Sequence, residues 1–303
     1  MPEPIPVILF AYNRPEHLAR TLDSLRANAV PRIIAWSDAP RRPEHAPSVE
    51  AVRRTLRAVD WCPVERHERD RNYGNGRSIL EGVTEALARH PAALVFEDDI
   101  ECAPGGYAWL CAALERYRSE ARVMSVSGWT HPRVCPAGVG DRPYFDGRCA
   151  TLGWGTWARS WQGMEQDARS LLRACAGAGV DPDRYGYDLR VYAEEERVRN
   201  IWAVRFILLH FLRRGLCLCP PWAIVAHRGY DAAATNAASD DGWADPPLRP
   251  CPPIPGVWPE PVEHPACAPL WRAAGGARPG WLRRVSGRAR RALRRAVVAA
   301  GLK

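Results

Sequence analysis

The sequence contains almost no lysine, no pair of cysteines in C-x-x-C spacing and no long apolar run. Lys303 is the only lysine among 42 lysines and arginines. The ten cysteines are scattered, which excludes a zinc ribbon or a thioredoxin-like redox motif. No apolar run approaches the ~20 residues that span a bilayer, and the first residues do not form a basic-then-apolar leader. We therefore expect a protein of the reducing cytoplasm.

The net charge of +8 is carried by one end of the chain. From His264 onward there are ten basic residues and no acids, which leaves 32 basic against 34 acidic residues over positions 1–263. A near-neutral body does not offer the basic surface that nucleic-acid binding needs. We therefore predict no nucleic-acid partner.

One stretch joins a buried strand to three carboxylates. Residues 92–96 are apolar and run directly into Glu97, Asp98 and Asp99. An apolar run flanked by helical segments is typical of a strand buried on both faces of a parallel sheet. Three adjacent acids resist burial unless a cation offsets them, and Mg²⁺ or Mn²⁺ prefers carboxylate oxygens and bridges to phosphates. The stretch predicts a metal–diphosphate site, against the alternative of a solvated acidic turn.

Strands and helices alternate through the first third of the chain. Amphipathic helices separate four predicted strands, near 5–11, 33–36, 64–67 and 92–96. Asn13 is expected to cap the first helix, whose first turn tolerates Pro15. This order predicts an α/β fold with a parallel, doubly wound sheet. Right-handed crossovers would bring the polar residues that follow each strand to one edge.

The second half is richer in aromatic residues and glycine, after a strand predicted at 123–127. A helix is predicted over 201–212, and a strand over 216–225 is interrupted by two prolines. Proline is dense over 245–265, which predicts an irregular linker. We divide the chain into a first half, a second half, a proline-rich linker and a basic tail, at residues 1–130, 131–244, 245–280 and 281–303.

The tail has the pattern of a basic amphipathic helix. Apolar residues recur every three or four positions over 281–297, and arginines fill most positions between them. Such a helix suits peripheral contact of residues 281–303 with an anionic membrane, here the inner face of the plasma membrane. A disordered solubilising tail and a helix packed on a partner protein are the alternatives.

These motifs, in this order, resemble the GT-A class of nucleotide-sugar-dependent glycosyltransferases. The similar features are the opening at 7–15, Asp38 after the second strand, an Asn-x-Gly segment before the third helix, and Glu-Asp-Asp at 97–99. The acidic triplet resembles the metal motif of the N-acetylglucosaminyltransferase I-like branch. Bacterial relatives of that branch are similar at residues 153–157, 202–205 and 221–231. The resemblance implies a GT-A fold, which is Rossmann-like, over roughly residues 5–240. It also implies that residues 1–130 are the nucleotide-sugar-binding half and residues 131–244 the acceptor-binding and catalytic half.

The resemblance implies roles for individual residues at the donor site. Asp99 would be the direct ligand of Mn²⁺ or Mg²⁺. His227 would be a further metal or phosphate contact, with a structural histidine as the alternative. The residues implied in nucleotide-sugar binding are Asn13, Arg14, Asp38, Asn72, Arg77, Glu97 and Asp98. A divalent cation and an arginine would offset the negative charge that grows on a departing diphosphate.

On the acceptor side the resemblance is less complete. The residues implied in acceptor binding are Trp154, Gly155, Trp157 and Arg205. Core packing of the large aromatic side chains is an equal alternative to stacking on a sugar. An inverting transferase needs a carboxylate that takes a proton from the acceptor hydroxyl. In the similar branch this acid precedes a Trp-x-Arg element, but no acid directly precedes Trp202.

Other carboxylates are therefore considered as the general base. The candidates are Asp231, Asp188 and Glu195, and we favour Asp231. Glu195 lies among three consecutive acids at 194–196, which also fit a solvated helix start because acids favour helix N-termini.

The sequence thus predicts a metal-dependent glycosyltransferase, inverting by resemblance, that acts in building a bacterial surface or secreted glycan. It would move a sugar from a nucleoside-diphosphate sugar to a glycan or lipid-linked acceptor. A catalytically inactive homologue that binds sugar or nucleotide in an assembly is one alternative, motivated by the missing base. A nucleotidyltransferase is disfavoured, because residues 13–15 stand where its glycine-rich, lysine-bearing loop would follow the first strand.

Overall fold

The computed structural model describes residues 4–229, 243 and 245–275. Its strands are β1 (Val7–Ala11), β2 (Ile33–Ser37), β3 (Val64–Glu68), β4 (Ala92–Glu97), β5 (Ile100–Cys102), β6 (Val123–Ser127), β7 (Tyr144–Asp146), β8 (Trp154–Trp157), β9 (Leu216–Cys219) and β10 (Val225–His227). Its α-helices are α1 (Pro15–Ala27), α2 (Ala46–Arg57), α3 (Gly74–Arg89), α4 (Gly106–Arg116), α5 (Ala158–Trp161), α6 (Ala168–Gly177), α7 (Asp188–Arg199), α8 (Ala203–Arg213) and α9 (Cys267–Ala274). A 3₁₀ turn, Pro43–His45, precedes α2.

Eight strands form one sheet in the order β3-β2-β1-β4-β8-β6-β9-β7. The neighbours from β3 to β4 are parallel, as are β6 and β9. Strand β8 is antiparallel to both β4 and β6, and β7 is antiparallel to β9. The α/β class and the mostly parallel, doubly wound sheet predicted from the sequence are confirmed. The insertion of an antiparallel strand between β4 and β6 was not predicted.

The apolar runs of the sequence become the central strands of this sheet. All residues of β1, β2 and β6 are buried, and so are the first five of β4. Strand β3 lies at the edge and carries Glu65, Arg66 and His67, which are partly or fully exposed. Charged side chains on an edge strand discourage pairing with another chain. Right-handed crossovers place α1 and α2 together on one face of the sheet and α3 on the other.

Two details of the helices differ from the sequence-based expectation. Arg14, rather than Asn13, occupies the position before α1, and no side chain caps this helix, which begins at Pro15. The acids 194–196 lie in the second half of α7 rather than at a helix start, because α7 begins at Asp188. Glu196 is buried and forms an ion pair with Arg205.

The predicted strand over 216–225 is divided at its two prolines. Its first part is β9 in the large sheet, and its second part is β10, which pairs antiparallel with β5 in a separate two-stranded sheet. In that small sheet His227 is opposite Ile100. The division therefore brings a histidine from the second half of the chain to the end of the acidic triplet.

Residues 245–265 contain no helix and no strand longer than a single bridge, as the proline content predicts. They lie against α4: the hydroxyl of Tyr117, which follows this helix, donates to the carbonyl of Pro259 at 2.6 Å, and Trp258 packs on Trp109. Within the described part of the chain, no helix is long and apolar enough to cross a membrane. Residues 281–303, the predicted amphipathic tail, lie outside the described residues.

Candidate functional site

A cavity of about 200 Å³ opens where β1, β2 and β4 reach their carboxyl ends. The polar side chains that line it are those of Tyr12, Asn13, Arg14, Asp38, Arg41, Asn72, Asn75, Ser78, Glu97, Asp98, Asp99 and His227. Carboxyl ends of parallel strands are the usual ligand site of open α/β sheets. We call this space the acidic cavity.

Two of the three consecutive acids are held by donors of neighbouring elements. Glu97 ends β4, and its Oε2 accepts a hydrogen bond from Nδ2 of Asn75 at 2.8 Å. Asp98 is buried, and its Oδ2 accepts from the backbone N–H of Tyr12 at 2.9 Å. Asp98 therefore ties the turn after β4 to the turn after β1, and it presents little free carboxylate to the cavity.

Asp99 has cationic rather than neutral partners. Its Oδ2 lies 3.1 Å from Nη1 of Arg14 and 3.3 Å from Nε2 of His227. The side chain of Asp99 is 14% exposed, so this oxygen is at the cavity wall rather than in the core. Gly229 packs against the same group, and a Cβ at this position would overlap Oδ2 of Asp99. The space around Asp99 thus requires glycine at position 229.

Burial shifts the protonation of these acids in different directions. Burial, followed by the nearby charge of Asp99, raises the pKa of Glu97 and of Asp98 to about 7. Burial also acts on Asp99, but the hydrogen bond to His227 and the charge of Arg14 outweigh it and hold its pKa below the usual range. Burial alone would lower the pKa of His227, yet its contact with Asp99 raises it. Near neutral pH Asp99 is therefore ionised, whereas Glu97 and Asp98 are each ionised only in part.

Asp38 anchors the start of α3. Its carboxylate accepts hydrogen bonds from the backbone N–H groups of Tyr73 at 2.9 Å and of Gly74 at 2.8 Å. Asn72 adds a hydrogen bond from its Nδ2 to the carbonyl of Ala39 at 2.7 Å. The turn after β2 and the turn before α3 are thereby fixed to each other on one side of the acidic cavity.

The next donors of the same helix are taken by Asn200, which follows α7. Its backbone carbonyl accepts from Gly76 N–H at 2.9 Å, and its Oδ1 accepts from Arg77 N–H at 3.1 Å. Its Nδ2 donates to the carbonyl of Tyr73 at 2.9 Å. A Cβ at Gly74 or Gly76 would overlap Asn200, so both glycines permit this close approach. Because the protein occupies these N–H groups, the N-terminus of α3 is not a free anion site.

Arg77 does not line the acidic cavity. Its Nε donates to Glu81 at 2.6 Å, and its guanidinium lies 4.1 Å from the centre of the Tyr73 ring. The guanidinium groups that do line the cavity belong to Arg14 and Arg41. Any diphosphate in the cavity would meet these two arginines before it met Arg77.

The residues expected at the acceptor lie elsewhere. Trp154 and Trp157 lie in β8 and are 1% and 3% exposed, so their indoles pack in the core, which was the alternative interpretation. A Cβ at Gly155 would crowd Leu94 of β4, which explains the glycine by sheet packing. The guanidinium of Arg205 is bound by Glu196 and by a backbone carbonyl.

The candidate bases are also accounted for. Asp188 forms an ion pair with Arg148 at 2.7 Å, and Glu195 pairs with Arg199 at 3.3 Å. Neither carboxylate lines the acidic cavity. Asp231 lies outside the described residues, two positions after Gly229 at the cavity wall.

Several lining residues were not singled out from the sequence. Tyr12 donates its backbone N–H to Asp98, and its hydroxyl contacts Nδ1 of His45 at 2.6 Å and accepts from the N–H of Arg41 at 2.9 Å. Asn75 contacts Glu97. Tyr12 follows the first strand directly, so its position after an apolar run was the available signal. Nothing local in the sequence indicates Arg41, which is held through Tyr12.

The donor atoms at Asp99 are compatible with a divalent cation. A carboxylate oxygen and an imidazole nitrogen 3.3 Å apart suit Mn²⁺, whereas Mg²⁺ favours a nearly all-oxygen shell. Among the described residues no three His, Cys, Asp or Glu side chains converge as a ligand set. A cation here would therefore need further oxygens from a ligand or water.

Comparison with known proteins gives only distant likeness. No protein-family model matches the sequence, and no curated protein matches it. Among solved structures, the mannosyltransferase PcManGT from Pyrobaculum calidifontis, in complex with GDP-Man and Mn²⁺, is 16% identical with a TM-score of 0.37; the match covers 56% of this chain and 45% of that one. HddC from Yersinia pseudotuberculosis is 15% identical with a TM-score of 0.25, over 32% and 49%. The chain spans less than half the length of either structure.

Proposed function

We propose that the chain is a nucleotide-sugar-dependent glycosyltransferase and that the acidic cavity holds the donor. The observation that carries the proposal is the meeting of Asp99, His227, Arg14 and Arg41 at the carboxyl edge of a mostly parallel sheet. A diphosphate suits this edge of the sheet, because Arg14 and Arg41 lie next to the Asp99–His227 pair that would hold a divalent cation. The resemblance of the sequence motifs to GT-A enzymes supports the same assignment.

The chemistry follows from where charge develops. When the bond between the sugar and the diphosphate breaks, negative charge grows on the leaving oxygen. Arg14 and Arg41 would neutralise part of it. Mn²⁺ held by Asp99 and His227 would supply Lewis-acid stabilisation of the same charge. Arg14 pairs with Asp99 at 3.1 Å, so a bound diphosphate would compete with this carboxylate for the guanidinium.

Asp231 is our proposal for the base that accepts the proton of the acceptor hydroxyl. Within the described residues, the acids at the cavity wall are Asp38 and the triplet 97–99, and each already has protein partners. Asp231 follows Gly229, which contacts Asp99, at a separation of two residues. Asp188 and Glu195 are less suitable because both are engaged in ion pairs away from the cavity.

The test is calorimetric titration with UDP, GDP, dTDP and CDP, each in Mn²⁺ and in EDTA. It uses the native protein, Asp99→Asn and, as a matched control, Glu101→Gln, whose carboxylate pairs with Arg228 rather than lining the cavity. We expect one nucleotide to bind in a metal-dependent manner and to bind at least about tenfold more weakly to Asp99→Asn, since charge-assisted contacts are worth about 1.5–3 kcal/mol. Glu101→Gln should bind as the native protein does.

The outcomes separate the parts of the proposal. Binding that survives both EDTA and Asp99→Asn would contradict the metal role. Binding without release of nucleoside diphosphate from any sugar nucleotide, across a panel of acceptors, would favour a catalytically inactive binding protein. Absence of binding to all four nucleotides would contradict the donor assignment.

A further inference from the structure

A second and larger cavity, of about 470 Å³, opens at the opposite edge of the sheet. It lies where β6 and β9 begin, whereas the acidic cavity lies where β1, β2 and β4 end. Its lining includes Arg122, Arg184 and Arg214, together with Asp181 and Glu263. We call it the arginine cleft. None of its lining residues belongs to the acidic cavity.

The fold fixes two of these arginines beside each other. Arg122 directly precedes β6, and Arg214 is separated from β9 by a single glycine. The N–H of Leu216, the first residue of β9, donates to the carbonyl of Arg122 at 2.7 Å. Neither Arg122 nor Arg214 forms an ion pair with any residue in the described ranges 4–229, 243 and 245–275, and both are exposed. Two arginines without an ion-pair partner among the described residues therefore line the same cleft.

The backbone at Arg214 is unusual for an arginine. It ends α8 with φ 50° and ψ 36°, in the left-handed region. That region disfavours side chains with a Cβ and is commonly occupied by glycine at helix ends. Gly215 follows at once, yet the strained position carries arginine. The residue in this strained backbone conformation lines the cleft.

The other wall of the cleft offers hydrogen-bond acceptors. Glu263 accepts from the hydroxyl of Tyr185 at 2.6 Å and pairs with Arg184. A Cβ at Gly147 would overlap the Tyr185 hydroxyl, so glycine permits this arrangement. Asp181, which is exposed, also lines the cleft. Carboxylates repel a bare anion but accept hydrogen bonds from hydroxyl groups.

We propose that the arginine cleft binds a sugar phosphate. Arg122 and Arg214 would hold the phosphate through charge-assisted hydrogen bonds, and Glu263 and Asp181 would accept hydrogen bonds from the sugar hydroxyls. A ligand with both kinds of group satisfies both walls, which neither inorganic phosphate nor a neutral sugar does. The volume lies within the range of small-molecule sites, about 300–1,000 Å³. The inference does not depend on the function proposed for the acidic cavity.

The probes are glucose 1-phosphate, glucose 6-phosphate, inorganic phosphate and glucose, titrated by calorimetry at low salt in EDTA. The test variant is Arg122→Gln/Arg214→Gly, in which glycine suits the left-handed backbone and thus protects the fold. The matched control is Arg26→Gln/Arg54→Gln, which removes the same charge from exposed positions on α1 and α2. Thermal unfolding checks that both variants fold.

We expect at least one sugar phosphate to bind, at least about tenfold more tightly than phosphate or glucose. The same ligand should bind at least about tenfold more weakly to the cleft variant, because two charge-assisted contacts are lost, and unchanged to the control. Equal affinity for inorganic phosphate would overturn the sugar assignment. Binding that the cleft variant retains, or no binding at all, would overturn the site.

Discussion

The two edges of the large sheet differ in how their charges are balanced. At the carboxyl edge, Asp38, Glu97, Asp98 and Asp99 all have partners within the protein, so a ligand must exchange contacts with groups already present. At the amino edge, Arg122 and Arg214 form no ion pair with any described residue. The first arrangement favours selectivity through exchange of partners, and the second leaves positive charge available to an incoming anion.

Buried titratable groups extend this contrast to the dependence of stability on pH. The amino edge contains His210, fully buried, with its Nε2 2.8 Å from Oγ of Ser125. Burial lowers the pKa of His210 to about 4. The carboxyl edge contains Glu97 and Asp98, with pKa values raised to about 7. His210 and the acidic pair of Glu97 and Asp98 should therefore respond to pH in opposite directions.

A large effect is expected for His210→Gln. The folded pKa of His210 lies below the unfolded value near 6.5, so its contribution to stability is complete above pH 6.5 and is lost as the pH falls towards 4. The loss by pH 4.5 should be about 2–3 kcal/mol in the native protein and absent in the variant. Urea unfolding at pH 7.5 and 4.5 measures both.

Asp146, whose pKa burial raises to about 6, acts in the opposite direction on the same scale. It is present in both proteins, so its contribution cancels when native and variant slopes are subtracted. Equal slopes for His210→Gln and the native protein would show that the histidine does not distinguish the amino edge.

A smaller effect is expected at Asn200, which holds the start of α3 beside the acidic cavity. Asn200→Gly removes the hydrogen bonds to Tyr73 and Arg77 but keeps the left-handed backbone at φ 49°. We expect a loss of about 1–2 kcal/mol in the free energy of unfolding. Asn200→Ala should lose about 1 kcal/mol more, because alanine disfavours this backbone region.

Chemical denaturation of both Asn200 variants gives the comparison directly. Should alanine prove no worse than glycine, the strain at this position would be excluded. If Asn200→Gly left the free energy of unfolding unchanged, the hydrogen bonds from Asn200 to Tyr73 and Arg77 would not stabilise the carboxyl edge.

An effect opposite in sign to that of His210 is expected for Glu97→Gln in EDTA. The folded pKa of Glu97 is raised to about 7, so stability is lost as the pH rises from about 4.5 through 7. Glutamine keeps an acceptor for Asn75 and removes this loss, so the variant should be about 3 kcal/mol more stable at pH 8 and unchanged at pH 4. A Tm series over pH 4–8 tests the sign, and greater stability of the native protein at pH 8 would contradict it.

Much of the fold was predictable because its central strands are uninterrupted apolar runs. The continuous apolar run 92–96 predicted a strand that is buried on both faces of the sheet. Right-handed crossovers between parallel strands then predicted that Asn13, Asp38 and the acidic triplet lie at one edge. The structure places these residues around one cavity.

What the sequence did not indicate depends on distant packing. The sequence left acceptor binding and core packing as equal alternatives for Trp154 and Trp157. Nothing local shows that Gly155 is glycine because a Cβ would crowd Leu94 of β4 and Leu114 of α4. Nothing next to Asn200 in the sequence indicates its three hydrogen bonds to the start of α3, which join residues more than 120 positions apart. Arg205 lies in a motif that suggested acceptor binding. Its ion pair with Glu196 depends on the packing of α7 on α8, which the sequence does not indicate.

The position of β8 also has a consequence for synthesis on the ribosome. Strand β6 pairs with β8 and β9, both of which are made later, and the second edge of β4 stays open until β8 arrives. A nascent or truncated chain that ends near residue 130 therefore exposes an apolar strand edge, a template for aggregation. The sheet can be completed only after β8 emerges, so folding of the first half must wait for a strand none of whose residues lines the acidic cavity.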